Sequence, residues 1–338
     1  MSRVVARTVY VTRKFPGPGL SMLAGECGVT LNKNSSPPTR GEILKNVAGK
    51  DAILCMLSDR IDSTAIKAAG PALKVISSYS TGFEHIDVNE ATRRGIYVTY
   101  TADILAEATA DLAFALLLAC ARNIVRGDGL VRKNKWRVGW APDLMLGHEV
   151  HGATLGIIGL GRIGSAVAKR AKGFGMKILY NSRTRKHSLE QKLNARYCDL
   201  DDLLVRSDFV SVHTTLDSST RHLIDISKLR KMKNAAILIN TSRGQIVNER
   251  DLARALKAKL IAGAGLDVFE KEPLARSSPL ATLDNVVLLP HIGSATTETR
   301  SRMGEVAAKN ILQVLNGREP ERVFLVNPGV RRTALKRK

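Results

Sequence analysis

Several things are scarce in this sequence, and each scarcity narrows its chemistry. Aromatic residues make up 4% of the 338 positions and do not alternate with basic ones, so single-strand stacking platforms find little support. Cysteine occurs four times, at Cys27, Cys55, Cys120 and Cys198, with no CxxC pair and no nearby His. That spacing argues against a disulfide framework or a metal site and fits buried free thiols in a reducing cytosol, so a cytoplasmic location is expected. The longest apolar run, "LAFALLLACA" at 112–121, is bounded by Asp111 and Arg122. It is about half the length a bilayer span needs, and reads as a buried helix. No internal repeat or low-complexity segment is present.

Acids are outnumbered: 31 Asp and Glu face 52 Lys and Arg, for a net charge of +21. Such a surplus fits a nucleic-acid partner, attraction for anionic substrates, or a self-repelling solvated surface. The charge is spread along the chain, apart from the last eight residues, "RRTALKRK", which lack any apolar pattern and are expected to be disordered. A nucleic-acid partner is therefore not expected, the tail being the one feature that fits it. With 44% hydrophobic and 25% charged residues, the chain has the composition of a soluble globular protein and room for two packed domains. The basic N-terminus lacks acids until Glu26, as transit peptides do, but "RTVYVTRK" alternates like a strand and meets a Pro/Gly turn, and so predicts a first β-strand.

What the sequence does contain is strand–helix alternation. "TVYVT", "AILCML" (52–57) and "KVISSYS" (74–80) are followed by helix-like stretches. A long apolar-faced helix is expected over about 106–126, then an irregular Trp/Gly/Pro stretch, "KWRVGWAPDLMLG" (135–147). Alternation resumes with "ATLGIIG", "KILYNS", "DFVSVHT", "AAILINT", "IAGAGLDVF" and "VVLLPHIG", and closes with a helix over about 298–315. Continuous apolar strands between helices predict parallel sheets covered on both faces. The expected fold is α/β, with two doubly wound (Rossmann/flavodoxin-like) domains and a cleft between them. Residues 1–102 with 291–338 form the substrate domain and 103–290 the dinucleotide domain.

Within "ATLGIIGLGRIGSAVAKRAKGFGMKILYNS", Gly159, Gly161 and Gly164 form a GxGxxG that follows an apolar strand and opens a helix. A second strand completes the βαβ unit, which makes this a dinucleotide site. Gly159 permits the tight turn, Gly161 lets a pyrophosphate approach the backbone, and Gly164 allows close helix–strand packing. The second strand of such a unit ends in an acid when the cofactor is NAD. Here "ILYNSRTRK" places Ser182, Arg183 and Thr184 there, with Arg185 beyond, and no acid until Glu190. Ser182 removes the repulsion of a 2′-phosphate, and Arg183 can bind it through forked, charge-assisted hydrogen bonds. NADP(H) is therefore the preferred cofactor, with NAD(H) as the alternative.

Three further segments place reactive side chains at strand ends: Arg243 in "ILINTSRGQIV", Asp267, Glu270 and Glu272 in "AGAGLDVFEKEP", and His291 in "NVVLLPHIGSA". In doubly wound folds ligands gather at the carboxyl ends of strands. An Arg, a His and a carboxylate beside a nicotinamide make a 2-oxo-acid reductase. Arg holds the substrate carboxylate and polarises the ketone, and His donates a proton to the forming alkoxide. The carboxylate orients the imidazole and raises its pKa, while the cofactor supplies the hydride.

Together "GIIGLGRIG", "INTSRG", "GAGLDVFEKEP" and "LPHIGSA", in this order, resemble the D-isomer-specific 2-hydroxyacid dehydrogenases over nearly the whole chain. "MLSDRID", "YSTGFEHIDVNEATRRGIYV" and "EATADLAFALLLACAR" agree. "ILYNSRTRK" and "GWAPDLMLGHEVHG" are similar to the glyoxylate/hydroxypyruvate reductases, above all the archaeal-type glyoxylate reductases. The resemblance implies that Arg243 binds substrate, His291 is the acid/base and Glu272 its partner. It implies that Asp267 holds the nicotinamide carboxamide, and that Leu57 and the backbone near Thr81 and Gly82 meet the substrate together with Arg243 and His291. Arg162 and Ile163 would contact pyrophosphate, with Thr214, Thr241, Ser242, Ile292 and Gly293 lining the cofactor. It also implies a homodimer through the cofactor domain, with the 120–150 segment as an arm. Tyr100, Ala102 and Thr215 depart from the family's usual residues, so substrate fit is less defined than the catalytic set. The rival readings are an NAD-dependent dehydrogenase of the phosphoglycerate or lactate type, and a dinucleotide-sensing, corepressor-like binding protein.

Overall fold

The computed structural model describes residues 7–330; the basic tail, 331–338, lies outside the described residues, as do the first six positions. The chain divides into two compact units. One comprises the described residues up to Leu105 and again from Ser294, and the other Ala106–Gly293. The division falls a few residues later than the sequence pattern suggests and leaves His291, Ile292 and Gly293 with the second unit.

The first unit is built on five parallel strands: β1 (Thr8–Val11), β2 (Gly28–Leu31), β3 (Ala52–Cys55), β4 (Val75–Ser78) and β5 (Tyr97–Thr99). Their order is β2-β1-β3-β4-β5, a doubly wound arrangement with β1 in the interior. Side chains alternate between two apolar layers. Val9, Val11, Ala52 and Leu54 face one, Tyr10, Ile53 and Cys55 the other, so both faces are covered and the strands read as unbroken apolar runs. The final helix, Thr297–Leu315, packs in the first of these layers through Ala307, Ala308, Ile311 and Leu312. Asn327 then ties the chain's end to β5, accepting from Val98 N–H and donating to Ile96 O, both at 2.9 Å.

The second unit carries seven parallel strands: β6 (Thr154–Ile158), β7 (Lys177–Asn181), β8 (Ala195–Tyr197), β9 (Phe209–Val212), β10 (Ile237–Asn240), β11 (Gly263–Leu266) and β12 (Val286–Leu288). Their order is β12-β11-β10-β9-β6-β7-β8, so the strand order reverses beside β6, between the β6→β7 and β6→β9 neighbours. The register aligns the strand ends: Ile158 faces both Asn181 and Val212, Asn240 faces Val212 and Leu266, and Leu266 faces Leu288. Every segment singled out in this half of the sequence therefore leaves its strand along one edge.

One expected element differs. The long helix ends at Ala121, and a second one, Ile124–Arg132, departs from it at 64°. Between them Asn123 takes a left-handed φ of 53°, which Asn tolerates better than most residues. Its side-chain amide donates to Leu146 O at 3.1 Å, a partner far along the chain that no helical periodicity reveals. The first helix buries Ala110, Ala113, Phe114, Leu116 and Leu117; the second buries nothing. Among the described residues no single helix is long and apolar enough to cross a membrane.

Candidate active site

The glycine-rich turn comes first, because its geometry can be tested against a dinucleotide without any ligand. Gly159 follows β6 with φ of 97°, and a Cβ there would lie 2.7 Å from the His213 carbonyl, at the end of β9. Gly164 sits in the first turn of the helix Arg162–Gly173, and a Cβ on it would lie 2.2 Å from Gly159 O. Both positions are closed to any side chain by protein atoms. Gly161 is different: a Cβ there would meet nothing within 4 Å, and as helix N-cap it supplies no side-chain acceptor. The turn is drawn tight on two sides and left open on the third, at the start of the helix, whose first N–H groups have no carbonyl one turn back inside the helix. That is the shape a pyrophosphate requires. Arg162 is exposed and Ile163 is part-buried against the core.

At the end of β7, Ser182 Oγ donates to Thr184 O at 2.8 Å, closing a small turn from which Arg183 projects with 74% of its side chain exposed. Arg185, the next basic residue along the chain, is committed elsewhere. It forks onto Glu190 at 2.8 and 3.0 Å and lies 5.8 Å from the centre of the Tyr197 ring. The hydrogen bonds from Arg185 and then Tyr180 hold Glu190 down to about 2, so this pair stays ionised. Arg183 also has an acid partner that the linear sequence hides, Asp217, from the turn after β9.

The turn after β10 is organised by Asn240, a buried residue that the sequence reading passed over. Its Oδ1 accepts from Ser242 N–H at 3.0 Å and its Nδ2 donates to Arg243 O at 2.9 Å. Ser242 Oγ donates to Thr214 O, joining the β9 and β10 turns. Thr241 Oγ1 is buried with no hydrogen-bond partner, a polar atom that a ligand on this edge can satisfy. His213 has its Nε2 on Ser211 Oγ at 2.7 Å, and burial pushes its pKa down to about 3, so it is neutral.

Asp267 follows β11 and is 1% exposed. Its two oxygens accept from Ile292 N–H and Gly293 N–H, each at 2.7 Å. Burial raises its pKa, while these two donors work in the opposite direction. They grip the residues just after His291, whose own φ is 55°. A left-handed His costs roughly 1–3 kcal/mol, and the Asp267 clamp supplies the contacts that maintain it. In that conformation His291 Nδ1 reaches Glu272 Oε2 at 2.7 Å. Glu272 Oε1 meanwhile accepts from Phe269 N–H at 3.1 Å. Burial acts to raise the Glu272 pKa, but His291, the Phe269 N–H and the charge of nearby Arg243 outweigh it and hold the carboxyl below its usual range. An ionised Glu272 fixes the proton on Nδ1 and leaves Nε2 with no protein partner among the described residues.

The second unit thus brings Arg243, Asp267, Glu272 and His291 together, on the same strand edge as the glycine turn. Leu57, Thr81 and Gly82 belong to the first unit. There Asp59, 1% exposed, accepts from Met56 N–H at 2.7 Å and fixes the loop carrying Leu57. Ser80 and Ser78 donate to Gly82 O at 2.5 and 3.2 Å. Among the described residues, the Thr81 and Gly82 N–H groups donate to no protein acceptor. No three His, Cys, Asp or Glu side chains among the described residues are grouped to hold a metal ion.

A seven-stranded Rossmann-type sheet with a phosphate-shaped glycine turn, and a His–Glu pair beside an Arg at the strand ends, defines a nicotinamide-dependent oxidoreductase. Residues 114–293 match the sequence profile of the D-isomer specific 2-hydroxyacid dehydrogenase, NAD binding domain. The chain is 50% identical over 312 residues to a glyoxylate reductase of Korarchaeum cryptofilum, covering 92% of this chain and 94% of that one. Among solved structures, a Thermus thermophilus protein superposes with a TM-score of 0.89 at 45% identity, over 94% of this chain and 99% of its own. An NADPH-dependent glyoxylate/hydroxypyruvate reductase of Sinorhizobium meliloti, in complex with NADP and malonate, gives 0.80 at 30% identity, over 92% and 94%. The chain belongs to the D-isomer-specific 2-hydroxyacid dehydrogenases, enzymes that use a nicotinamide dinucleotide to interconvert 2-oxo and 2-hydroxy acids.

Proposed function

We propose that the protein is an NADPH-preferring reductase of a small 2-oxo acid, converting glyoxylate to glycolate and hydroxypyruvate to D-glycerate. The observation that carries this reading is the 2.7 Å contact of His291 Nδ1 with an ionised Glu272, with Arg243 close by. The bound cofactor supplies the hydride. Arg243 engages the substrate's carboxylate and carbonyl oxygen. His291 delivers a proton from Nε2 to the developing alkoxide, and Glu272 stabilises the imidazolium that donates it. Leu57, Thr81 and Gly82 are the residues of the first unit assigned to the substrate. The names of the relatives support glyoxylate as substrate, and the absence of an acid at position 182, with Arg183 next to it, supports NADPH.

The exposed apolar segment of the second unit supports a homodimer. Ile124, Val131, Trp136, Val138 and Leu146 are each more than half exposed, and Trp140 is 85% exposed. An apolar surface of this kind marks an association site.

Two measurements test the proposal. Initial rates with glyoxylate and hydroxypyruvate, with NADPH beside matched NADH reactions, should show turnover with NADPH favoured. His291→Ala should lose at least 10³-fold in kcat, on the order expected for a general acid together with the charge it carries, while cofactor affinity is retained. Near-normal turnover in that variant refutes the assignment.

A further inference from the structure

The chain has no acid at the end of β7, yet folding brings one there. Arg183 Nη1 lies 3.2 Å from Asp217 Oδ2. Asp217 comes from the turn after β9, across β6 from β7. The two partners differ in freedom. Asp217 is pinned by its own turn: Oδ1 accepts from Ser219 N–H at 2.8 Å, Ser219 Oγ at 2.6 Å and Thr220 N–H at 3.2 Å, and its backbone N–H donates to Thr220 Oγ1 at 2.8 Å. Arg183 stands largely in solvent on a rotatable stem. The acid is fixed and the cation is movable.

We propose that Asp217 is a specificity-determining residue of the cofactor site, holding Arg183 when the adenosine ribose lacks a 2′-phosphate and opposing the phosphate when one is present. The proposal rests on the reading of Arg183 as the phosphate ligand. A 2′-phosphate, close to doubly charged, must draw the guanidinium from Asp217 and then remain beside an anchored like charge. For groups about 5 Å apart in a solvent-like dielectric with salt, that opposition amounts to about fivefold in affinity. NADH makes no such demand, and the ion pair persists when it binds. Arg185 cannot substitute, because Glu190 and the Tyr197 ring occupy it. The result is a site that prefers NADPH by a limited margin and keeps NADH usable.

The test is binding without substrate: calorimetric Kd values for NADP+ and NAD+ with the full-length protein, its Asp217→Asn and Asp217→Ser variants, and Arg183→Ala. Asn and Ser both serve as turn and cap acceptors without charge, so one stands in if the other folds poorly. Removing the charge should tighten NADP+ about fivefold and leave NAD+ within twofold. In turnover the gain should fall on the KM for NADPH rather than on kcat. If Arg183→Ala weakens NADP+ selectively while neither Asp217 variant changes the NADP+ to NAD+ ratio, the role of Asp217 is overturned and the NADPH reading stands. If Arg183→Ala weakens neither selectively, the NADPH reading fails and takes this one with it.

Discussion

Replacing Asp267 by Asn tests how His291, the proposed proton donor, is held. The change preserves shape and removes one acceptor. Asp267 now takes two N–H groups, from Ile292 and Gly293, each at 2.7 Å and away from water. An amide can accept one of them through oxygen but turns its own N–H₂ toward the other. A buried donor left unsatisfied costs about 1–3 kcal/mol, and a hydrogen bond to a charged acceptor contributes about 1.5–3 kcal/mol. The left-handed backbone at His291 holds a further reserve of strain, released if φ becomes negative. Relaxation by that route swings the imidazole off Glu272. If 1.5–3 kcal/mol of this reaches the transition state, kcat falls roughly 10- to 150-fold, since 1.36 kcal/mol is tenfold. The assay is kcat at saturating cofactor, beside cofactor Kd from fluorescence titration and a urea midpoint to confirm folding. A positioning role lowers kcat and leaves Kd within a few-fold. A variant with unchanged kcat and weakened Kd would show that Asp267 serves the nicotinamide alone, and the clamp argument would be wrong.

The other predictions are shorter. Gly161→Ala should melt like the wild type, because its Cβ enters open space, yet weaken dinucleotide binding at least tenfold; Gly164→Ala should lose about 1–3 kcal/mol of stability, because its Cβ would meet the Gly159 carbonyl at 2.2 Å. His213, held down to about 3 by burial, takes up a proton in the unfolded chain near pH 6.5 but not in the folded one. Stability should therefore fall as the pH drops from about 6.5 toward 3, by up to about 1.4 kcal/mol per unit. Urea midpoints at pH 7 and 5 should show this slope, flattened in His213→Gln. Trp140→Glu combined with Leu146→Lys should shift the sedimentation-equilibrium mass toward that of a monomer, and an unchanged mass would remove the arm from the interface.

Much of the fold was legible because parallel strands buried on both faces leave unbroken apolar runs, and β6, β7, β9, β10 and β11 are all of that kind. The elements that were harder to read are those whose reasons are tertiary. β2 and β8 are four and three residues long and lie at sheet edges, where pairing with one neighbour replaces apolar pattern. The break after Ala121 depends on Asn123 reaching Leu146, and a helical period continues through it without a mark. Gly159 and Gly164 were legible because each answers a local demand of the turn, whereas at Gly161 a side chain would meet open space.

The charged side chains that the fold gathers were legible in the sequence, and what holds them was not. Arg243, Glu272 and His291 stood out because charged side chains interrupt strand ends. Asn240, Asp59 and the Ser78–Ser80 pair did not, because a polar residue at the end of an apolar run is also what an ordinary turn contains. Their importance lies in partners two to four residues away or on another strand, and only the fold shows which of these distances closes. Asp217 makes the point most sharply. Read along the chain, it is a turn acid far from Arg183, and the basic stretch after β7 appears unopposed. Read across the sheet, β7 and β9 flank β6, and their following turns meet above it. A strand-order reversal gathers one loop from each side, which is why such folds bind ligands there. The same convergence sets Asp217 against Arg183, so the ionic surroundings of Arg183 are a property of two loops and cannot be read from either one alone.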